Sequence, residues 1–119
     1  MIRVLVLEDN VSFRDALVSV LENQPDIRVV GTAGSLAEAR TMFEGVDVAL
    51  IDSGLPDGDG LELFEELRAV NPGARVFGIS STAEVIHPRD AIEAGAHGVI
   101  DKFGTPERVF AAIREQGGR

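Results

Sequence analysis

Acidic residues follow two apolar runs of the sequence at the points where those runs end. Glu8 and Asp9 come directly after residues 2–7, and Asp52 comes directly after residues 46–51. If the two runs are neighbouring parallel strands, their carboxylates meet at one edge of a sheet. Crowded carboxylates repel one another unless a cation lies among them, and hard oxygen donors suit Mg²⁺. The spacing therefore predicts a magnesium site at that edge.

Within this site the acidic residues have different expected roles. Asp9 and Asp52 would supply two direct oxygen ligands to an ion that keeps several of its waters, whereas the longer Glu8 would act through water. The backbone carbonyl of Gly54, two residues beyond Asp52, is well placed to complete the ligand set. An acidic edge of this kind is expected to be strained by repulsion until a metal binds or a charge is removed.

Lys102, the single lysine of the chain, directly follows a third apolar run at residues 98–101. The ten other basic residues are all arginine. A compact ammonium suits a site crowded with carboxylates better than a planar guanidinium does. Chance survival of one lysine explains this residue about equally well when it is taken alone. Its meaning comes from its predicted place at the same sheet edge as the acids.

Phosphoryl transfer is the chemistry that this set of residues could perform. A carboxylate can attack phosphorus and form an acyl phosphate, provided that the charge is neutralised, here by Mg²⁺ and Lys102. The hydroxyl of Ser80, which follows a further apolar run at 74–79, could hydrogen-bond the transferred group. Because that bond would exist only after phosphorylation, it would bias a switch between two states.

The elements that must position these residues alternate along the chain. Short apolar runs predict strands, and apolar stripes at helical spacing between and after them predict helices. The second helix has a capping box at Ser35 and Glu38, and the last opens at Pro106. The predicted strands are 2–7, 27–33, 46–51, 74–79 and 98–101; the helical stripes include Phe13, Leu17, Val20 and Leu21, then Leu36, Ala39 and Phe43, then Leu61, Phe64 and Leu67, then a short segment near 88–94, then Val109, Phe110 and Ile113. Five such units predict an α/β domain with a doubly wound parallel sheet.

Bulk composition excludes several classes of function. The chain has 119 residues, enough for one domain, and no cysteine for disulfide or thiol chemistry. Its net charge of −9 and its lack of clustered basic residues argue against direct nucleic-acid binding. The first apolar run is too short for a signal peptide or a membrane span, so we expect a cytoplasmic protein that does not engage membranes.

Over its whole length, the chain resembles the receiver domain of a bacterial two-component response regulator. The matching features are each weak alone but highly specific in this order and spacing. They are Glu8-Asp9, residues 52–60, Ser80, residues 94–98 and Lys102. The resemblance implies a flavodoxin-like (βα)5 fold with strand order 2-1-3-4-5, the order that receivers share with flavodoxin.

The resemblance also implies a role for each matching residue. Asp52 would be the phosphoacceptor, Glu8 and Asp9 would bind Mg²⁺, Ser80 would be the switch hydroxyl, and Lys102 would contact the phosphoryl group. The donor would be a phosphohistidine on a partner sensor histidine kinase. A homodimer that forms on phosphorylation, and regulation of transcription through an attached DNA-binding domain, are further expectations from the family. Such a domain is not an enzyme beyond its own phosphorylation and dephosphorylation.

Several positions depart from the usual receiver pattern or could tune the switch. Val99 stands where receivers usually carry Tyr or Phe, so no ring is available to move when the switch hydroxyl moves. Phe103 stands where proline usually follows the lysine, and Ser81 stands where alanine is common. The missing proline and the acceptor-to-hydroxyl spacing resemble receivers attached to LuxR-type DNA-binding domains. Side chains near Gly54 and Thr82 are expected to set the phosphoryl lifetime.

Other functions stay open at this point. One is a pseudo-receiver that binds partners without phosphorylation, which the missing ring at position 99 leaves open. Another is a Toprim-like metal enzyme, because Asp57-Gly58-Asp59 offers its paired acids, although beyond the strand end and in an acidic domain. An aspartate-nucleophile phosphatase would want Asp-x-Asp at position 52, which is absent. His87 and His97 are interpreted as surface or helix-end residues, and the Asp57–Gly60 segment as a turn rather than a calcium loop.

We expect residues 1–119 to form a single receiver domain. The Gly-rich end at residues 116–119 has the composition of a linker. It favours a chain that is the amino-terminal piece of a longer regulator over a stand-alone receiver.

Overall fold

Five strands lie side by side in one parallel sheet in the computed structural model, which describes residues 1–52, 54–60, 62–80, 97–101 and 104–117. In chain order the strands are β1 (Ile2–Leu7), β2 (Ile27–Ala33), β3 (Val48–Asp52), β4 (Arg75–Ser80) and β5 (Gly98–Asp101). Their order across the sheet is β2-β1-β3-β4-β5. The α/β fold class and the strand order 2-1-3-4-5 predicted above are therefore confirmed.

Strands β3 and β4 differ from their predicted bounds at both ends, and each ends one residue later than predicted, on a site residue. β3 begins at Val48 rather than Val46, because the Val46 N–H donates to the Phe43 carbonyl in a turn. The strand continues through Asp52, which pairs with Ile79 of β4. β4 likewise continues through Ser80. Both residues are thus the last residues of their strands rather than the first residues of the loops.

Four helices are described: α1 (Val11–Glu22), α2 (Leu36–Ala39), α3 (Glu62–Val70) and α4 (Pro106–Gly117). The predicted cap at Ser35 is present, since its side chain accepts a hydrogen bond from the Glu38 N–H. Helix α2 is shorter than its stripe predicted, and Phe43 is buried beyond its end. The chain tightens there, because Thr41 N–H donates to the Glu38 carbonyl only three residues back. The predicted helix near 88–94 lies outside the described residues.

Apolar side chains cover both faces of the sheet. Alternate residues of β1 separate into two layers, with Leu5 and Leu7 in one cluster and Val4 and Val6 in the other. Helices α2 and α3 contribute to the first cluster, and α1 and α4 contribute to the second. Burial on both faces explains why the strands read as unbroken apolar runs rather than as alternating patterns.

The connection from β3 to α3 contains a short antiparallel hairpin, in which Gly54–Leu55 pairs with Gly58–Asp59. None of the helices in the described ranges has the length and apolar character that crossing a bilayer requires. Helix α4 continues through Gly117, so the expected linker is not seen before that residue. The linker and the single-domain assignment of residues 1–119 stay predictions.

Candidate functional site

Three carboxylates converge where β1 and β3 end. One oxygen each of Glu8, Asp9 and Asp52 lies within 4.8 Å of the other two. Glu8 is 0% exposed and Asp52 is 5% exposed, whereas Asp9 faces solvent. The two strands are neighbours in the sheet, so residues 44 positions apart in sequence end at the same edge. The acidic edge predicted from the sequence is therefore present.

Backbone and side-chain hydrogen bonds fix the turn that carries the first two acids. The Glu8 N–H donates to the Ala33 carbonyl at the end of β2 (2.9 Å). The Glu8 carboxylate accepts from the Asn10 N–H (3.1 Å), and the Asn10 side chain caps α1 by accepting from the Phe13 N–H (2.9 Å). Arg14 donates from Nη1 to the Glu8 carbonyl (3.3 Å). The end of β1 is thus fastened both to β2 and to the first turn of α1.

A divalent cation fits this set of donors. All three side chains offer hard oxygen atoms, which Mg²⁺ and Ca²⁺ prefer. Two unit negative charges at 4.8 Å repel by about 3 kcal/mol at an effective dielectric constant of about 20. Two of the three carboxylates are buried, so solvent screens this repulsion poorly. The exposed Asp9 leaves the site open to water, which suits an ion that keeps part of its hydration shell.

Gly60 packs directly against the end of β3. A Cβ atom at this position would overlap the backbone oxygen of Asp52 and would lie 2.6 Å from Ile51 Cγ2. The backbone of Gly60 does not adopt a positive φ, so close approach rather than chain conformation requires the glycine. This contact was not predicted from the sequence, where Gly60 was only part of the 52–60 motif. It holds the loop before α3 against the strand that carries Asp52.

Asp57 has a structural partner that the sequence analysis missed. Its carboxylate accepts hydrogen bonds from the Leu36 N–H (2.8 Å) and the Ala37 N–H (3.2 Å) at the start of α2. The bond from Leu36 is the main reason that the pKa of Asp57 lies below its ordinary value. A turn containing a helix-capping acid therefore accounts for this residue, and neither the calcium-loop nor the Toprim-like interpretation is needed.

Replacing Asp57 with alanine is expected to lower the midpoint of thermal unfolding at neutral pH, because α2 loses two hydrogen-bond acceptors and a negative charge at its start. The folded-state pKa lies below the ordinary value of 3.8, so the ionised carboxylate stabilises the fold above that pH. This stabilisation is lost as the pH falls through the folded-state pKa. The midpoints of wild type and Asp57→Ala, measured by circular dichroism, should differ at pH 7 and converge in strong acid. A constant difference at every pH would contradict the ionised cap.

The other predicted site residues are only partly described. Ser80 ends β4 and pairs with Asp101, which places it on the strand next to that of Asp52. Gly54 lies in the hairpin after β3. Lys102, Ser81, Thr82 and Phe103 lie outside the described residues. Val99 is half-buried on β5 and packs against the core cluster beneath α2 and α3.

His97 has a different role from the surface or helix-end position expected for it. The ring Nδ1 of His97 accepts a hydrogen bond from the Val76 N–H (3.1 Å), and the backbone N–H of His97 donates to the Val76 carbonyl. Burial, followed by the charges of Arg75 and Arg68, holds the pKa of His97 below its ordinary value. The half-buried neutral ring thus fastens the start of β5 to β4, at the edge opposite the acids. His87 lies outside the described residues.

Comparisons with known proteins agree with this geometry. The family model described as the response regulator receiver domain matches residues 4–114. The DNA-binding transcriptional activator DevR/DosR of Mycobacterium tuberculosis is 35% identical over 119 residues, which cover 98% of this chain and 55% of that protein. The chain thus spans about half the length of this relative.

Solved structures of the same kind superpose on the whole chain. A CheY-like response regulator receiver domain protein from Methanospirillum hungatei JF-1 gives a TM-score of 0.86 at 26% identity, with 99% of this chain and 94% of that chain covered. A two-component response regulator of the LuxR family from Aurantimonas sp. SI85-9A1 gives a TM-score of 0.81 at 27% identity, with coverage of 98% and 86%.

Proposed function

The chain belongs to the response regulator receiver domain family, and we propose that it is a phosphorylation-dependent switch with Asp52 as its phosphoacceptor. The observation that carries the proposal is the meeting of Glu8, Asp9 and Asp52 at one sheet edge. A receiver needs an acceptor carboxylate beside groups that can hold a metal, and the closeness of the three carboxylates at this edge supports both roles.

The phosphoryl group would come from a phosphohistidine on a partner sensor kinase. An oxygen of the Asp52 carboxylate attacks phosphorus, the phosphorus–nitrogen bond breaks, and the electron pair leaves with the imidazole of the donor. Bound Mg²⁺ supplies neutralisation of the phosphoryl charge. Glu8 and Asp9, with the carbonyl of Gly54, would hold the ion. Lys102 would contact the transferred group as a fixed cation, and the Ser80 hydroxyl would donate to it once it has arrived.

The output of the switch, its self-association and its location in the cell are proposed from the family and from the relatives of this chain. DevR/DosR is named a DNA-binding transcriptional activator, and the similar Aurantimonas structure is of a LuxR-family regulator. Both support a LuxR-type regulator that acts on transcription through an attached domain. With a net charge of −9, the receiver itself would not contact DNA. We propose that it works in the cytoplasm, forms a homodimer when phosphorylated, and catalyses only its own phosphorylation and dephosphorylation. Gly54, Ser81, Thr82 and Val99 are the positions that would tune its response.

Intact-protein mass spectrometry after incubation with acetyl phosphate tests the proposal. We expect one phosphoryl adduct that forms with Mg²⁺, fails to form with EDTA, and is removed by hydroxylamine, as an acyl phosphate would be. If no adduct forms although calorimetry shows that Mg²⁺ binds, the switch is refuted and the phosphorylation-independent pseudo-receiver takes its place. Turnover of an added nucleotide or phosphate ester would instead indicate an enzyme.

A further inference from the structure

Arg14 is a cation beside the acidic site that binds none of its carboxylates. Arg14 as a whole residue is half-buried, and its Nη1 donates to the backbone carbonyl of Glu8 (3.3 Å). Over the described ranges of the chain, Arg14 forms no ion pair with any acidic residue. A guanidinium paired with a site carboxylate would compete with a metal for the same oxygen atoms. Because Arg14 binds the main chain instead, it takes up no carboxylate oxygen of the site.

The carbonyl that Arg14 binds belongs to the peptide unit joining Glu8 to Asp9. A peptide unit is planar, so fixing its oxygen also fixes the direction in which the chain enters Asp9. The N–H on the other side of Glu8 is already bonded to β2. With both sides of Glu8 held, the main chain that leads into Asp9 has little freedom to move.

Gly34 leaves the space that this arrangement needs. A Cβ atom at position 34 would lie 3.2 Å from Arg14 Nη1 and 3.9 Å from Asp9 Cα. The first distance is short enough to push the guanidinium aside by a few tenths of an ångström. Gly34 does not have a positive φ, so alanine would be tolerated by the backbone itself. Its missing side chain therefore matters for the position of Arg14.

We propose that Arg14 is a positioning residue for the metal site, which orients Glu8 and Asp9 through the main chain, and that Gly34 keeps its place open. The inference rests on the proposed function, because it assigns Arg14 to the Mg²⁺ site of the receiver. Residues that orient metal ligands without touching the metal change metal affinity by about 10- to 100-fold when they are replaced.

Isothermal titration calorimetry with Mg²⁺ alone, on the unphosphorylated protein, measures this contribution without phosphoryl transfer. Arg14→Gln should bind Mg²⁺ about 10-fold more weakly than wild type, the lower end of the range for indirect ligand positioning. Arg28→Gln is the matched control, because it removes the same charge from an exposed residue at the opposite end of the sheet. Its affinity should stay within about twofold of wild type. Equal or tighter binding by Arg14→Gln would overturn the inference.

Gly34→Ala provides a second test that removes no charge. It should weaken Mg²⁺ binding in the wild-type background and cause no further loss in Arg14→Gln, because the displaced group is then already gone. Equal losses in both backgrounds would show that Gly34 acts independently of Arg14. Unfolding curves in EDTA confirm that each variant is folded before titration. Wild type that binds Mg²⁺ but gains no phosphoryl adduct would refute the proposed function and leave this inference standing.

Discussion

Replacing Asp52 with asparagine is expected to abolish the phosphoryl adduct and, in the absence of metal, to raise the midpoint of thermal unfolding. The amide cannot attack phosphorus as a carboxylate does, so adduct formation should fall below detection. The stability gain arises because one of three negative charges within 4.8 Å is removed. After allowance for lost contacts of the carboxylate, we expect a gain of about 1–2 kcal/mol in the free energy of unfolding.

Glu44→Gln is the matched control for Asp52→Asn. It also removes one negative charge, but from an exposed residue in the loop before β3, away from the acidic edge. Thermal unfolding of both variants in EDTA and in excess Mg²⁺ separates the effect of the acidic site on stability from the effect of net charge. Mg²⁺ should raise the midpoint of wild type and of Glu44→Gln more than that of Asp52→Asn. A lower midpoint for Asp52→Asn in EDTA would argue against mutual repulsion of the carboxylates.

Replacing Gly60 with alanine is expected to cause the largest loss of stability among the changes considered. The added methyl group would overlap the backbone oxygen of Asp52, which lies in a strand bonded to two neighbours. The main chain must therefore shift, at a cost of about 3 kcal/mol. Because the shift occurs at Asp52 itself, phosphorylation by acetyl phosphate should also slow in the fraction that remains folded.

Gly73→Ala separates this steric effect from the general effect of removing a glycine. A Cβ atom at Gly73 would meet nothing within 4 Å, and its φ is not positive. Gly73→Ala should therefore leave the free energy of unfolding unchanged or slightly raised. Chemical denaturation of both variants gives the comparison. Similar free energies of unfolding for the two variants would show that the chain before α3 relaxes freely. The contact of Gly60 with β3 would then not matter for stability.

Local patterns were enough to predict most of the fold. The strands are covered on both faces, so their apolar runs stand out from the helices in the sequence. Parallel strands with helical connections leave few arrangements, and all of them bring the carboxyl ends of the strands to one edge. For this reason the meeting of Glu8, Asp9 and Asp52 could be expected from residue type and spacing alone.

Features that depend on contacts between distant segments could not be predicted in this way. Asp57 caps a helix that begins 21 residues earlier, and no local signal connects the two. The ring of His97 accepts a hydrogen bond from the backbone N–H of Val76, which lies 21 residues earlier. The early end of α2 was not predicted either. The apolar stripe continues to the buried Phe43, but the helical backbone ends at Ala39.

The fold class, the strand order implied by the family and the identity of the acids at the site could all be read from the sequence. Residue type and spacing are sufficient for these, because they depend on which segments are strands and where each one ends. The contacts that hold the acids in place emerge only from the packed fold: Arg14 on the Glu8 carbonyl, Gly34 beside it, and Gly60 against Asp52. Such contacts depend on the separation of backbones from different elements, to within a few tenths of an ångström. Tertiary packing sets that separation, and no local pattern of residues encodes it.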